Sequence, residues 1–354
     1  MTTALRLGTR RSTLALAQAT HVADQLRALG HEVNLVPITT LGDRSADALT
    51  TIGGTGIFAA AIRRALLVGE IDVAVHSLKD LPTTPEPGLV VAATPIREDP
   101  RDVLVAREGL TLAELPAGCV VGTGSPRRAA QLRALRRELD VVAVRGNVDT
   151  RLEMVRSGVV DAVVLARAGL ARIDRLDEAA ETLDPAQMLP APGQGALAVE
   201  CREDRTDVRA AVAALDDAHT RVCVTAERAL LAALEAGCTA PVGALAEVVQ
   251  GDGHDLSLRA VVGALDGSLE LRRSLVAPVD DPVSAGRRLA ALLLEDGAAE
   301  LAQDVRVGSA ASGPDIELPT RPATAAVPQE PPDGIPGAVP TLTTEHQHPS
   351  EHVS

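Results

Sequence analysis

Three times before residue 157 the chain repeats one plan: a short apolar run, a loop of glycine, serine or arginine, then an amphipathic helix. The first unit reads Leu5–Gly8, Thr9-Arg10-Arg11-Ser12, then apolar positions at helical spacing (Leu14, Leu16, Ala17, Val22, Leu26, Leu29). Ser12 suits a helix N-cap and Gly30 a helix stop. The second reads Cys119–Gly122, Thr123-Gly124-Ser125, then a helix from Pro126, and proline after a serine cap is a strong start signal. The third reads Val141–Val144, Arg145-Gly146-Asn147, then a helix to about Val155. Further runs suggest strands at Glu32–Thr39, Ile71–His76 and Asp161–Ala166, and a helix over Gly56–Val68. Alternating strands and helices predict an α/β fold with mixed, mainly parallel sheets.

From Ala210 the pattern changes. A helix over Thr220–Leu234 precedes a loop, strand-like runs at Gly243–Val249, Leu256–Gly263 and Leu269–Leu275, and a helix over Val283–Leu294. This predicts a separate small α+β domain. After Gly308 the chain is rich in Pro, Thr, Ala and acid, and residues 309–354 read as a disordered tail.

Each repeated unit brings arginines to a helix start: Arg10 and Arg11, Arg127 and Arg128, Arg145 and Arg151. Free N–H groups and the macrodipole already favour anions there, and the guanidinium fork fits a carboxylate. The net charge is −14, which argues against a nucleic-acid binder. Yet Gly122–Arg156 holds eight arginines against four acids, a local cluster suited to a small anion. Neither Gly53-Gly54-Thr55-Gly56 nor the Gly122-Thr-Gly-Ser-Pro-Arg run is a nucleotide loop, since the first lacks Gly-Lys-Ser/Thr and the second a third glycine. The first suits a lid over a site.

His76-Ser77-Leu78-Lys79-Asp80 follows an apolar strand, where α/β sheets collect catalytic groups. A carboxylate beside a lysine there can relay protons and stabilise a cation, though the same residues also suit a surface turn with a local ion pair. Lys79 is the one lysine and Phe58 the one aromatic residue of the chain. Of the cysteines, Cys119, Cys201 and Cys223 read as small buried hydrophobes. Cys238 follows a glycine in a polar loop. No cysteine or histidine spacing suggests a metal site. With no apolar run of bilayer length and no apolar leader, the expectation is a cytoplasmic protein with no membrane partner.

The ordered motifs His76-Ser77-Leu78-Lys79-Asp80, Gly122-Thr-Gly-Ser-Pro-Arg127-Arg128, Arg145-Gly146-Asn147-Val148, Leu189-Pro-Ala-Pro-Gly193-Gln194-Gly195-Ala196 and Gly237-Cys238-Thr-Ala-Pro241-Val-Gly243 resemble those of the porphobilinogen deaminases, also called hydroxymethylbilane synthases. Arg221–Arg228 resembles the family too, and the likeness runs from about Leu5 to Ala299. It implies two domains like periplasmic binding proteins, over residues 1–96 with 191–214 and over 97–190, and a third over 215–308. It implies a dipyrromethane cofactor held covalently by Cys238, with Asp80 and Lys79 catalytic. Arg127, Arg128, Ser125, Arg145 and Asn147, with Lys79 and Asp80, would bind the cofactor. Arg10, Ser12, Gln18, Phe58, Arg145, Arg151, Ala168, Gly169, Arg172 and Gln194 would bind porphobilinogen, under a lid over Gly42–Gly56. The implied product is the linear tetrapyrrole, made by a monomer in heme and porphyrin biosynthesis with release of ammonia.

The chain departs from the family where Thr55 and Ala60 replace lysines, where Thr13 replaces a common proline, and where Arg167 replaces a small apolar residue. The last is a candidate extra contact. A non-catalytic binder of small anions would explain the arginines equally, but not the third domain or the Gly237-Cys238 pair.

Overall fold

Ser12 ends the first strand's loop by capping a helix, its hydroxyl accepting from Ala15 N at 3.4 Å. This begins an alternation that runs through a computed structural model of the protein, which describes residues 4–39, 56–234, 241–249 and 254–301. Along the chain come β1 (Leu5–Arg10), α1 (Thr13–Ala28), β2 (Val33–Ile38), α2 (Gly56–Leu67), β3 (Val73–Ser77) and, after a single 3-10 turn at Leu78–Asp80, β4 (Leu89–Ala93). Then follow β5 (Asp102–Ala106), β6 (Val120–Gly122), α3 (Pro126–Leu135), β7 (Asp140–Val142), α4 (Val148–Arg156), β8 (Ala162–Ala166), α5 (Arg167–Ala171) and β9 (Glu181–Thr182). The rest is β10 (Leu197–Arg202), α6 (Thr206–Ala213), α7 (Ala218–Ala233), β11 (Val242–Val248), β12 (Asp255–Gly263), β13 (Glu270–Pro278) and α8 (Pro282–Glu295).

Two five-stranded sheets share one plan. The first has the order β2-β1-β3-β10-β4 and the second β7-β6-β8-β5-β9. In the first, β1 lies parallel to β2 and β3, while β10 is antiparallel to β3 and β4. In the second, β6 is parallel to β7 and β8, while β5 is antiparallel to β8 and β9. The sheets are therefore mixed, with parallel and antiparallel pairings equally represented. The antiparallel strands follow the two crossings between the sheets, at residues 94–101 and 183–196.

Both faces of each sheet are covered. In the first, Val22 and Leu26 of α1 pack with Val208 and Val212 of α6 on one face, and Ile62 and Leu66 of α2 pack on the other. In the second, Leu132 of α3 lies on one face and Leu152, Val155 and Leu170 on the other. Each fully buried leucine of this kind contributes about 2 kcal/mol relative to exposure. The third sheet, β11-β12-β13, is antiparallel and is covered by α7 and α8 through Leu230, Leu289 and Leu293.

Buried Glu227 of α7 ties the third sheet to both crossings. Its carboxylate accepts from Arg97 Nη1 at 2.7 Å, Gly193 N at 2.6 Å and Ala246 N at 2.9 Å. Removing one partner of such a pair costs about 3–5 kcal/mol, because a buried charge is left uncompensated.

The lid over Gly42–Gly56, with Thr55, falls outside the described residues except for Gly56, which opens α2. Cys238 and the 309–354 tail also lie outside them. Among the described residues no helix is long and apolar enough to cross a membrane, and no group of three or more potential metal ligands occurs.

Candidate active site

The sequence places the candidate residues at the carboxyl ends of parallel strands, and the fold brings those ends to one seam between the two mixed sheets. Among the described residues, hydrogen bonds cross it. Thr13 Oγ1 donates to Asp149 Oδ2 at 3.3 Å, and Arg172 Nη2 donates to the Gly195 carbonyl at 2.6 Å. A side chain on Gly169 of α5 would begin 3.7 Å from Leu14 of α1. Ala168 and Gly169 are buried there, so what they offer a ligand is a small profile.

On the first sheet's side lies a pocket of about 90 Å³, bordered by Arg10, Ser12, Gln18, His76, Ser77 and Asp80. Gln18 Nε2 donates to Ser77 Oγ at 2.9 Å, which fixes the amide against the end of β3. Asp80 ends the 3-10 turn half-buried, so its carboxylate reaches the pocket without leaving solvent. Behind the wall, buried Glu200 of β10 holds Arg63 at 2.9 Å and His76 Nε2 at 3.3 Å.

On the second sheet's side the cations are drier. Arg127 and Arg128 stand in the first turn of α3, 3% and 5% exposed. Both meet Asp102, at the start of β5 and fully buried. Arg128 Nη2 lies 2.8 Å from Asp102 Oδ1, and Arg127 Nη2 lies 2.8 Å from Oδ2. Arg128 also donates to the Val164 carbonyl at 3.0 Å, and Arg127 to the Leu189 carbonyl at 2.5 Å. Burial pushes the Asp102 carboxyl up, but Arg127 and Arg128, helped by Gln194, outweigh it and hold the group at about 2. Burial is also the first cause lowering Arg127, opposed by Asp102.

Gln194 joins the two sides. It sits between Gly193 and Gly195, both at positive φ (75° and 86°), and a Cβ on Gly195 would come within 2.3 Å of the Glu98 carbonyl. Only glycine allows this approach. The turn aims the Gln194 amide inward, where Nε2 donates to Asp102 Oδ1 at 2.8 Å and Oε1 accepts from Lys79 Nζ at 3.2 Å. Lys79 keeps some exposed surface, yet enough protein surrounds it that desolvation is the first cause lowering its ammonium to about 8. Arg128 lowers it further, while Asp80 and Asp102 oppose.

The other sequence candidates differ in burial and in their partners. Arg151 lies over the second loop, its Nη2 3.4 Å from where a Cβ on Gly124 would stand. Burial, then Arg128, lowers its guanidinium, and its buried Nε has no hydrogen-bond partner among the described residues. Burial also lowers Arg172, with Glu98 opposing. Arg145 and Asn147 are exposed, and the Asn147 carboxamide oxygen caps α4 by accepting from Thr150 N at 2.9 Å. Ser125 likewise caps α3 through Arg128 N at 3.5 Å. Arg167 is held by Glu98 and Asp99, each at 3.4 Å, rather than turned to the pocket. Phe58 lies in α2 and Ala60 is exposed on it, while the Phe58 side chain is outside the described set.

Sequence reasoning missed Asp102, Ser77 and Glu200. The acid-rich run Glu98-Asp99-Pro100-Arg101-Asp102, leading into an apolar strand, was the available signal for Asp102.

The family model described as "Porphobilinogen deaminase, dipyromethane cofactor binding domain" matches residues 5–210, and "Porphobilinogen deaminase, C-terminal domain" matches 221–295. The chain is 57% identical over 310 residues to porphobilinogen deaminase 1 of Streptomyces coelicolor, covering 84% of this chain and 97% of that one. It is 57% identical over 309 residues to the porphobilinogen deaminase of Nocardia farcinica, covering 86% and 89%. Among solved structures, a periplasmic substrate-binding protein of an ABC transporter from Coxiella burnetii aligns at a TM-score of 0.39 and 16% identity, covering 60% of this chain and 91% of that one.

Proposed function

The chain belongs to the porphobilinogen deaminase family, and from that premise we propose how its residues divide the work of the family's reaction. It is a transferase, a hydroxymethylbilane synthase, which joins four porphobilinogen molecules head to tail with release of ammonia. The observation that carries the division of roles is the seam itself. A half-buried carboxylate, Asp80, faces a small pocket on one side, and a cluster of buried cations stands on the other.

The residues suit the dipyrromethane that the matched cofactor-binding domain accommodates. Such a group carries acetate and propionate chains, and the seam offers Lys79, Arg127, Arg128, Arg151 and Arg172. The buried Nε atoms of Arg127 and Arg151 have no hydrogen-bond partner among the described residues, which leaves donors for added carboxylates. When bound, the group supplies the pyrrole carbon from which the chain is extended.

In this reading Arg10, Arg151 and Arg172 orient the carboxylates of incoming porphobilinogen, while Arg127, Arg128 and Lys79 hold those of the cofactor and contribute to porphobilinogen binding. Asp80 stabilises the cation formed as ammonia leaves porphobilinogen, and takes or returns a proton at its carboxylate oxygen. Ser12, Gln18 and Gln194 position polar groups at the pocket rim. Cys238 carries the cofactor covalently. Burial raises the thiols of Cys201 and Cys223 to about 11, leaving both poor nucleophiles near neutral pH. The division into domains over 1–96 with 191–214, 97–190 and 215–308 belongs to the same reading. So do a monomeric state, a cytoplasmic location and the absence of a nucleic-acid partner.

The test is Asp80→Asn, a nearly isosteric change. We expect unchanged folding by circular dichroism and a turnover loss of about a thousandfold. Near-normal turnover of the purified variant would remove Asp80 from the mechanism.

A further inference from the structure

We propose that Asp102 is a positioning residue of this enzyme: a resident anion that fixes how Arg127 and Arg128 present their remaining donors to the carboxylates of the bound pyrroles. The inference rests on the reading that these two arginines hold such carboxylates.

The geometry is specific. Asp102 is fully buried. Its Oδ1 accepts from Arg128 Nε at 3.1 Å, Arg128 Nη2 at 2.8 Å and Gln194 Nε2 at 2.8 Å. Its Oδ2 lies 2.8 Å from Arg127 Nη2. One carboxylate thus orients two guanidinium groups and the amide that reaches Lys79 across the seam. No other carboxylate makes a salt bridge to Arg127 or Arg128 among the described residues.

The donor count separates the two arginines. A guanidinium has five N–H donors. Arg128 commits Nε and Nη2 to Asp102, Nη2 again to Gln194 Oε1 at 3.4 Å, and Nη1 to the Val164 carbonyl. Arg127 donates to the Leu189 carbonyl and pairs with Asp102 Oδ2 by charge at 2.8 Å, an oxygen with no hydrogen-bond partner among the described residues, where the buried Arg127 Nε has none either. With Asp102 in place, Arg127 therefore keeps the larger share of donors for a ligand. Without it, both side chains would be buried cations without a counter-charge, held by the Val164 and Leu189 carbonyls and, for Arg128, Gln194, beside a lysine whose ammonium burial already disfavours. Paired, they are held ready, and little reorganisation remains when a carboxylate arrives.

This differs from a structural ion pair in what it controls. A structural pair sets stability alone. A positioning carboxylate sets affinity for carboxylate-bearing pyrroles and leaves the chemistry at Asp80 largely intact.

The experiment uses the full chain with Asp102→Asn, Asp102→Glu, Arg127→Leu and Arg128→Leu. Each variant is measured for melting midpoint, for the fraction carrying the two-pyrrole adduct by intact mass, and for kcat and KM per loaded molecule. We expect Asp102→Asn to raise the porphobilinogen KM about tenfold, to lower the loaded fraction several-fold, and to change kcat per loaded molecule less than about threefold. Asp102→Glu, which keeps the charge but displaces it, should raise KM by a smaller factor, and it decides the matter should Asp102→Asn fail to fold. A KM and loaded fraction equal to wild type in the folded variants, with only the melting midpoint lowered, overturns the proposal. Normal loading and KM in both Arg127→Leu and Arg128→Leu would instead overturn the assignment of the arginines on which it rests.

Discussion

The two mixed sheets carry the same strand order and the same strand–loop–helix units, yet they present opposite surfaces to the seam. At the first, Asp80 and Lys79 keep contact with solvent, and Gln18 and Ser77 bond to each other. At the second, Arg127, Arg128 and Asp102 are dry and bound to one another before any ligand arrives. In the proposed reading, one topology therefore serves both the carboxylate assigned to the chemistry and the cation cluster assigned to binding. What separates them is burial and counter-charge, supplied by residues far away in sequence.

The comparison is open to attack at several points. The largest effect belongs to a residue outside the described part of the chain. Cys238→Ser should lose adduct and activity together, because a hydroxyl is a far weaker nucleophile than a thiolate. The chain has no Trp and no Tyr, so absorbance near 280 nm reports bound pyrroles with little background. Persistence of the adduct in Cys238→Ser, or its mapping to another cysteine, would break the assignment of Cys238 as the cofactor's carrier, on which the roles given to both sheets rest.

Next come the arginines of the second sheet. Arg127→Leu or Arg128→Leu should raise KM and lower cofactor content by about ten- to a hundredfold, whereas Asp80→Asn on the first should act on kcat. Lysine in place of either should recover part of the loss, since the fork is gone but the charge remains. If the arginine variants lose kcat alone, the two sides do not divide as described.

Lys79, between the two, gives a few-fold effect that depends on pH. Its ammonium is depressed to about 8, so from there up to the ordinary lysine value the folded chain holds fewer protons than the unfolded one. Stability should therefore gain as pH rises through that window. Carboxylate binding should weaken over the same range, because the cation is lost. KM measured from pH 7 to 9.5 should climb above about 8, and Lys79→Arg should flatten the climb. A flat wild-type profile would place Lys79 outside the binding set.

The smallest effect comes last in the sequence. Residues 313–354 lie beyond both family matches. Ending the chain at Ser312 should leave turnover and melting midpoint unchanged, and a clear drop in either would give that segment a part in the folded enzyme.

Local signals made much of this legible. Ser12 and Ser125 cap the helices they were expected to cap, Pro126 opens α3, and Asn147, read only as a loop residue, caps α4. The runs ahead of them became β1, β6 and β7 within a few residues. What stayed hidden was non-local. Glu200 lies inside an apolar run and is tolerable only because Arg63 and His76 meet it there. Asp102 looked like one acid among several, and its meaning lies in two arginines from a later helix. Ser125 and Asn147 look like ligand groups by motif, yet part of their hydrogen-bonding capacity goes to helix ends.

The place of β10 has a consequence for how the chain is made. It lies between β3 and β4, so both strands await a partner from beyond the whole second sheet. At ribosomal speeds of about 5–20 residues per second, that wait is on the order of ten seconds. Through it the nascent first sheet exposes unpaired strand edges, the feature most open to association with other chains. The second sheet completes from residues made earlier, so it is the natural first unit to fold. Yield in a cell would then depend on how well the waiting edges of β3 and β4 are shielded while translation proceeds.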